Sequence, residues 1–534
     1  MNRSIRKVVF VVVLSSFMLN LVTSRRIDSA LKVDVGVASA EASGATPAQA
    51  LSYNMPYTVQ SPDCKQNIDP HDPDFDNFSW QTFIALNWPS ALDPATGLPA
   101  RASAYPNGVP DTTKSIGDPG PRTWEGLKAD FELFQANGAP PSDWTSYQTT
   151  NPPCGQCGAQ TKIKLLPLIA KGQSTLPGGI NQAMAGPLVP QQLINGAGTY
   201  LREEVRVNEP EYNAISTAKW YLRSTLPRYP KPAVNFTISN CAPQPIYGAL
   251  EIKASWRQMT PAEMSNPAIA SRYYIVNAVL VDPVSGKCNC TPVPMGLVGF
   301  HIAQKTSPFT AWMWSTFEQV DNVPCTPSEQ SSGAPECASA PSGGYSFNNG
   351  TNKPNASAKG YAVVAGQPNP LLTPFNPKNS KNITQPVQVL RHNDFPNMGG
   401  TTPPTDRTDI LQSNVTFRNL LKGTTWYYYK LVSNQWAPNR GGSIVINNPA
   451  TAQDNYATMN SFPAEGVANT TMETYFQVNT PFYPIFGSSC IHCHYQAAQT
   501  DFSWVLADMA FPSNPGAASS QQKGLPQVRK KSSK

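Results

Sequence analysis

Two cysteines and a histidine near the C-terminal end of the chain have the spacing of a covalent haem site. Cys490 and Cys493 are three residues apart, and His494 follows directly. This C-x-x-C-H pattern is typical of c-type haem attachment, in which both thiols bond to the porphyrin and the imidazole binds the iron. On a helix, the spacing places both sulfurs and the imidazole on one face. The motif therefore predicts one covalent haem c, with redox chemistry at the iron.

The same residues allow two other interpretations. Cys490 and Cys493 could form a structural disulfide, or they could provide half of a zinc site. Zinc needs a fourth ligand, and although His492 lies inside the motif, no second pair of ligands follows it at similar spacing. Haem attachment is the favoured interpretation.

The other eight cysteines form an even set, which suits disulfides in an oxidising compartment. They are Cys64, Cys154, Cys157, Cys241, Cys288, Cys290, Cys325 and Cys337. Cys154 and Cys157 repeat the C-x-x-C spacing, but Gly158 stands where a haem-binding histidine would be, so one haem is predicted rather than two. No strand-to-helix pattern surrounds this pair, which favours a loop disulfide over a thioredoxin-like redox pair. The sequence does not define the pairing.

Residues 1–40 have the layout of an export signal. Three basic residues precede an apolar run from Val8 to Val22, which is too short and too polar to span a bilayer. Small residues that end at Ala40 offer a cleavage site. We therefore expect a periplasmic or secreted protein, with no transmembrane segment after signal removal. An uncleaved N-terminal anchor is the alternative.

The formal net charge of +6 comes from the two ends of the chain. Residues 1–40 and 513–534 together hold eleven bases and two acids, which leaves 29 bases and 32 acids in residues 41–512. This balance argues against a nucleic-acid partner. The basic tail at 513–534 lacks apolar periodicity and is predicted to be disordered; contact with an anionic surface is the less favoured alternative to a solvated end.

The pattern of apolar residues predicts an α+β fold with an antiparallel, β-rich central body, flanking helices and long Pro/Gly-rich loops. We expect an N-terminal region at 41–327, a loop-rich connecting segment at 328–385 and a C-terminal region at 386–512 that carries the haem motif on a helix. Predicted helices span 77–88, 124–134, 409–421 and 501–509. Predicted strands span 249–256, 273–281, 296–303, 311–317 and 426–432.

Three further stretches carry a resemblance that spans most of the chain beyond the signal. They are Phe78–Trp88, Gly296–Thr306 and Trp312–Asn322, to which Ser488–His494 adds the motif. With these residues the chain resembles c-type cytochromes, in particular a group of exported bacterial mono-haem proteins with the motif near the C-terminus. The resemblance implies haem binding and electron transfer, and it implies no substrate.

His301 is the best candidate for a second axial ligand to the metal. It lies in an apolar strand, where a buried imidazole needs a partner. Gly299 is two residues away on the same face and would leave room beside it. The alternative is a core histidine bonded to the backbone or to a carboxylate such as Glu318. The other histidines outside the motif are His71, expected in a polar turn, and His392, expected in a loop.

Other side chains have two interpretations each. Several aromatic residues could either line a haem pocket or form ordinary core; they are Trp312, Trp314, Phe317 and residues 426–429. Arginines able to pair with a haem propionate are Arg391 and Arg418. Charged residues alternate along one predicted strand at Glu251, Lys253 and Arg257. This alternation predicts a face that is either solvated or ion-paired.

Three functions fit these features. The favoured one is an electron carrier with a six-coordinate haem, which exchanges electrons with a redox partner protein or a small-molecule donor or acceptor. The second is a haem-dependent oxidoreductase with an open coordination position, acting on peroxide, oxygen or a small nitrogen compound in a cavity formed by the large upstream body. The third is a haem-based sensor or ligand-binding protein.

Overall fold

The computed structural model of the chain describes residues 51–65, 72–135, 137–147, 154, 157, 164–166, 201–228, 233–281, 287–307, 312–348, 389–391, 408–436, 469–472, 490, 494 and 497–511. Several predictions lie outside these ranges: the export signal, the basic tail, most of the connecting segment, His71, His392 and Cys493. The placement of the haem motif on a helix also stays a prediction.

Helices and strands are both present in the described ranges, and the predicted α+β class is confirmed. The helices are α1 (Asp72–Leu86), α2 (Asp130–Leu133), α3 (Glu209–Thr217), α4 (Pro261–Met264), α5 (Pro267–Ala270), α6 (Pro327–Ser331), α7 (Thr408–Leu420) and α8 (Trp504–Met509). The strands are β1 (Lys128–Ala129), β2 (Lys164–Leu166), β3 (Arg202–Val207), β4 (Leu250–Gln258), β5 (Ile275–Val281), β6 (Cys288–Lys305), β7 (Trp312–Gln319) and β8 (Tyr429–Gln435). Every helix in this part of the chain is too short or too polar to cross a membrane.

The eight strands form one sheet around β6, which is 18 residues long. The first half of β6 pairs with β5, its second half pairs with β7, and β4 pairs along its other edge. Beyond β4 the sheet continues with β3 and then β1, and beyond β7 it continues with β8. All pairs are antiparallel except β2 with β5. Because β8 pairs with β7, strands from before and after the connecting segment share this sheet.

Local chemistry explains where the two longest helices begin and end. Helix α1 begins at Asp72, five residues before the prediction, and its first turn carries Asp74, whose charge favours a helix N-terminus. Pro89 follows its end. Helix α7 ends at Leu420, and Gly423 follows with a φ of 88°, a conformation that suits glycine just after a helix.

The helix predicted over 124–134 is wrong. The chain instead forms a short 3₁₀ helix at Thr123–Gly126, then strand β1, then α2. The apolar spacing does reflect burial, since Trp124 and Leu127 are fully buried. However, Lys128 pairs with Val207 of β3, and this extended pairing interrupts the helix.

One face of the central strands is apolar and is covered by α1 and α7; we call it the apolar face. The ring of Phe83 on α1 lies 4.2 Å from that of Phe317 and 5.8 Å from that of Phe300. Trp80 of α1 stacks on Phe417 of α7 at 5.4 Å. Burial of these large rings favours folding.

The opposite face of β4, β6, β7 and β8 carries charged and polar residues; we call it the polar face. Register places on it Glu251, Lys253, His301, Lys305, Trp314, Thr316, Glu318, Lys430 and Gln435. Lys305 and Glu318 are fully buried. Lys253 pairs with Glu203 at 2.6 Å. Arg257 of the same strand pairs with Glu263 at 2.7 Å. All three charged residues predicted on β4 are buried, so the solvated alternative is wrong, and the ion-paired alternative is confirmed for Lys253 and Arg257.

Four disulfides connect eight of the nine described cysteines. They are Cys64–Cys241, Cys154–Cys288, Cys157–Cys290 and Cys325–Cys337. Cys154 and Cys157 do form disulfides, but each bonds to a cysteine of β6 rather than to the other. Such a set is typical of proteins that fold in an oxidising compartment.

Candidate functional site

Cys490 and His494 lie against the polar face, over β7 and β8. The backbone N–H of Cys490 donates to Oε1 of Gln435 at 2.7 Å. The imidazole of His494 lies 5.4 Å from the indole of Trp314, measured between ring centroids. Gln435 and Trp314 are register partners on β8 and β7. The two described residues of the motif, both half-buried, therefore share one patch of the sheet.

One hydrogen bond fixes the orientation of the His494 ring. Its Nδ1 lies 2.7 Å from the backbone carbonyl oxygen of Phe502. A carbonyl oxygen only accepts, so Nδ1 carries the proton and Nε2 of the neutral ring holds the lone pair. Metal-binding histidines are held in the same way by a hydrogen bond from the ring nitrogen that does not bind the metal. The geometry therefore suits His494 to bind iron through Nε2.

The carbonyl of Phe502 belongs to a compact turn, residues 497–503, which we call the clamp turn. The N–H of Phe502 donates to the carbonyl of Ala497, and the N–H of Ala497 donates to the carbonyl of His494, both at 2.9 Å. Asp501 and Phe502 have φ angles of 54° and 64°. These values cost non-glycine residues on the order of 1 kcal/mol each. Strong contacts must therefore hold the clamp turn in place.

Asp501 provides those contacts. Its carboxylate accepts hydrogen bonds from Nζ of Lys305 at 2.5 Å and from the N–H of Phe236 at 2.7 Å. Its carbonyl accepts from the indole N–H of Trp312 at 2.6 Å. Burial raises the pKa of Asp501 and lowers the pKa of Lys305, while their mutual attraction opposes both shifts. Strands β6 and β7 thus anchor the clamp turn, which in turn orients His494.

Two buried carboxyl groups lie beside this ion pair. Glu211 of α3 and Glu251 of β4 face each other, and their exposed fractions are 0% and 8%. Apart from Glu251, no described residue offers a hydrogen bond to the carboxyl oxygens of Glu211. Burial raises the pKa of Glu211 well above its usual range, and the neighbouring Glu251 raises it further. Glu211 therefore binds a proton under conditions in which an exposed glutamate is ionised.

His301 lies on the same face as the motif. It pairs with Thr316 of β7 and with Lys253 of β4, and it is half-buried. Trp314 is two residues from Thr316 on that face, which is a diagonal position, roughly 7–8 Å away. Both His301 and His494 therefore lie next to Trp314. The role of His301 as a second ligand stays a prediction.

The space beside Gly299 is not open. A Cβ at this position would lie 2.3 Å from Oγ1 of Thr471 and 3.1 Å from Oδ1 of Asn469. A turn at residues 469–472 fills the gap. The expectation that Gly299 leaves room beside His301 is therefore wrong, and the glycine instead allows this turn to pack closely on β6.

The two arginines considered for a haem propionate are engaged in ion pairs. Arg391 pairs with Glu318 at 2.7 Å, and Arg418 pairs with Glu336 at 2.6 Å. Glu318 also accepts from the hydroxyl of Thr470 at 2.9 Å. To bind a propionate, either arginine would have to leave its buried glutamate without a compensating charge. Such an uncompensated buried charge costs free energy. We therefore assign neither to the haem.

The aromatic residues considered for a haem pocket divide between the two faces. Trp314 contacts His494, and Trp312 binds the clamp turn. Those that pack around Phe83 on the other side are Phe317, Trp426 and Tyr429. The tryptophans of β7 are thus beside the motif, and the other three belong to the core.

The clamp turn and the carboxyl pair were not found from the sequence. Glu211 and Glu251 are far apart along the chain and meet only when it folds. The alternating charges of β4 were the one available indication, because they place Glu251 on the same face as Lys253. No spacing rule connects the turn to His494.

No protein-family model, curated protein or solved structure matches the chain. Within the described ranges, no group of three or more His, Cys, Asp and Glu side chains is arranged to hold a metal ion. The orientation of His494 is therefore the feature of the described ranges that bears most directly on function.

Proposed function

We propose that this chain is an exported mono-haem c-type cytochrome-like protein that transfers electrons. Cys490 and Cys493 hold one haem c through thioether bonds, and His494 binds the iron through Nε2. When bound, the haem supplies a reversible one-electron couple. The chain's own residues orient His494, restrict its contact with water and set the charge around it.

The hydrogen bond from Nδ1 of His494 to the carbonyl of Phe502 carries the proposal. Unfavourable backbone angles persist where the surroundings compensate for them, and they concentrate at functional sites. Here two such residues, Asp501 and Phe502, form the clamp turn that holds the imidazole. A histidine that follows a C-x-x-C pair and is fixed in this tautomer has the features required of an axial ligand.

The disulfides support the proposed compartment. Four pairs within the described ranges indicate oxidising conditions during folding. Together with the signal-like residues 1–40, they favour a periplasmic or secreted location. There the protein would exchange electrons with a redox partner protein or a small-molecule donor or acceptor.

Extraction into acidified acetone tests the proposal. After expression with export and haem-attachment machinery, the wild-type protein should keep its haem colour in the acetone precipitate, because thioether bonds survive this treatment. Cys490→Ala and Cys493→Ala should each reduce the retained haem severalfold. The matched control is the double variant Cys325→Ser and Cys337→Ser, which removes a short disulfide loop elsewhere. A colourless wild-type protein, or a pigment that moves into the acetone, would contradict the proposal.

A haem oxidoreductase with an open coordination position is the second candidate. The observation that favours it is the set of buried proton donors and acceptors at the clamp turn, namely Asp501 within the turn and Lys305 and Glu211 beside it, because acid–base groups near a metal serve peroxide or oxygen chemistry. A low-spin ferric spectrum with slow carbon monoxide binding after reduction supports the carrier. A high-spin spectrum with rapid binding supports the enzyme.

His301→Ala separates the two candidates further. If His301 is the second ligand, this change converts the ferric spectrum from low-spin to high-spin, whereas Thr316→Val, at the neighbouring position on β7, leaves it unchanged. An unaltered spectrum in His301→Ala removes this histidine from the coordination of the iron.

A further inference from the structure

Hydrogen bonds connect a buried ion pair to His494, although the lysine of this pair is far from the motif in sequence. Nζ of Lys305 donates to Oδ2 of Asp501 at 2.5 Å. The next residue, Phe502, has its backbone carbonyl oxygen 2.7 Å from Nδ1 of His494. Two consecutive residues of the clamp turn therefore link the ammonium of Lys305 to the imidazole.

The end of β6 holds Lys305 in a fixed position. Its backbone N–H donates to the carbonyl of Ala249, and its carbonyl accepts from the N–H of Ser239, both at 2.9 Å. A Cβ on Gly248 would lie 2.5 Å from the carbonyl oxygen of Lys305, so the neighbouring chain packs closely there. The ammonium also donates to Oδ1 of Asn235 at 3.2 Å. Lys305 is therefore a rigid point of attachment for the clamp turn.

The clamp turn needs such an attachment. Asp501 and Phe502 both have left-handed backbone angles, which are unfavourable for residues other than glycine. Three groups donate to Asp501: the N–H of Phe236 at 2.7 Å, the indole N–H of Trp312 at 2.6 Å and the ammonium of Lys305. Of these three, Lys305 alone is charged, and charge-assisted hydrogen bonds are roughly twice as strong as neutral ones.

We propose that Lys305 and Asp501 are positioning residues for the axial histidine, and that their ion pair lowers the reduction potential of the iron. The pair holds the carbonyl of Phe502 against Nδ1 of His494, and it acts through the backbone of the clamp turn. This inference rests on the proposed function, because it concerns the iron that His494 binds.

The physical basis is the effect of the Nδ1 hydrogen bond on the ring. A hydrogen bond from Nδ1 makes the imidazole more basic, and thus a stronger donor to a metal at Nε2. A stronger donor stabilises ferric iron more than ferrous iron, because the ferric ion carries the larger positive charge. Without the ion pair, the clamp turn can relax from its left-handed angles, which weakens the bond from His494 to Phe502. The potential should then rise.

The first test compares the midpoint potential of the full-length haem protein with that of the double variant Lys305→Met and Asp501→Asn, by spectroelectrochemical titration. Removing both charges leaves the net charge unchanged, so a shift reports the position of the turn and not a direct charge effect. Asparagine tolerates the left-handed conformation, and its amide oxygen can still accept from Phe236. The potential of the double variant should be higher than that of the wild type by about 59 mV, a tenfold change in a one-electron equilibrium.

The matched control is the double variant Lys430→Met and Glu329→Gln. It neutralises another buried lysine–carboxylate pair, at the end of β8 that is remote from Gln435. This control should lose stability but keep the wild-type potential. Trp312→Phe is a further variant in case the first double variant does not fold. It removes the indole N–H that binds the carbonyl of Asp501, and it should raise the potential by a smaller amount.

Hydrogen exchange at the imidazole gives a measurement that is independent of the potential. In protein labelled with nitrogen-15 histidine, the resonance of the Nδ1 proton of His494 is assigned by its loss in His494→Gln. This proton should exchange with solvent about tenfold faster in the Lys305→Met and Asp501→Asn variant than in the wild type, because its hydrogen bond is weaker. The control should exchange at the wild-type rate.

A haem protein whose double variant keeps both the wild-type potential and the wild-type exchange rate would overturn the inference and leave haem attachment intact. A control that raises the potential by as much as the double variant would also overturn it, because the effect would then come from general loosening of the fold. A protein without bound haem would overturn the proposed function. Exchange of the same ring proton in the haem-free chain would then show whether the ion pair holds His494.

Discussion

The two faces of the central sheet are formed by the same strands but by different chemistry. On the apolar face, β6 places Phe300 and Ile302 beneath α1. On the polar face, the same strand places His301 and Lys305 beneath the C-terminal residues that carry Cys490 and His494. Antiparallel sheets commonly alternate in this way, with one face in water. Here the polar face is covered as well.

The two faces therefore contribute differently to the stability of the fold and to the chemistry of the site. Burial of the rings around Phe83 is favourable in itself. Burial of Lys305, Glu318 or Lys430 costs free energy that ion pairs only partly recover, and apolar residues of similar size would fold at least as well. We infer that the charges on the polar face serve the site and that the apolar face stabilises the sheet that holds them.

Phe83→Ala should produce the largest loss of stability, because it removes a fully buried ring from the apolar face. We expect the free energy of unfolding to fall by about 4 kcal/mol. Urea denaturation followed by tryptophan fluorescence measures the change, and Phe83→Leu should lose only about 1 kcal/mol. The reduction potential of the folded protein should not change. A shifted reduction potential would show that the apolar face also affects the site.

Arg391→Met should cost about 3 kcal/mol, because it leaves Glu318 buried without its partner. Adding Glu318→Gln should recover at least half of this loss, since the uncompensated charge is then gone. Urea denaturation of both variants provides the comparison. A double variant that is less stable than Arg391→Met would show that the loss does not come from the uncompensated charge of Glu318. That result would contradict the proposed cost of burying charges on the polar face.

Asp130 is a buried acid outside both faces of the central strands, at the β1–β3 edge. Burial raises its pKa to about 7, and the charge of Glu204 adds to the shift. The folded-state pKa exceeds the unfolded value, so the contribution of Asp130 to stability is greatest below its unfolded pKa and is lost as pH rises through about 7. At pH 8, Asp130→Asn should be more stable than wild type by on the order of 3 kcal/mol.

Unfolding of Asp130→Asn and wild type at pH 5 and pH 8 measures this effect. The two proteins should differ much less at pH 5, where the aspartate is neutral in the folded state. An equal difference at both pH values would show that Asp130 acts through packing and not through its charge.

Gly299→Ala should have the smallest effect, a loss of roughly 1–2 kcal/mol, since its Cβ would meet Thr471. Thr471→Ala removes the contacted hydroxyl, so the double variant should lose less than the sum of the two single changes. A double-mutant cycle should give a coupling free energy of about 1 kcal/mol. Additive effects would show that the turn at 469–472 does not pack on β6 in solution.

The strands around β6 could be predicted because β-branched and aromatic runs between turn residues have few alternatives. The helix over 124–134 could not, because the pairing of Lys128 with Val207 depends on a strand far along the chain. The motif itself was visible from spacing alone. The burial of the polar face was not, since the segments that cover it, including 497–511, lie more than a hundred residues from β7.

Haem attachment can be measured directly as the mass of the proteolytic peptide that contains Cys490, Cys493 and His494, released from wild-type protein exported with haem-attachment machinery. Covalent attachment of one haem predicts one dominant species, heavier than the unmodified peptide by the mass of a single haem and stable to reducing agents. A peptide of unmodified mass, or one lighter by two hydrogens that gains them on reduction, would show free thiols or a disulfide in place of the haem and would contradict it.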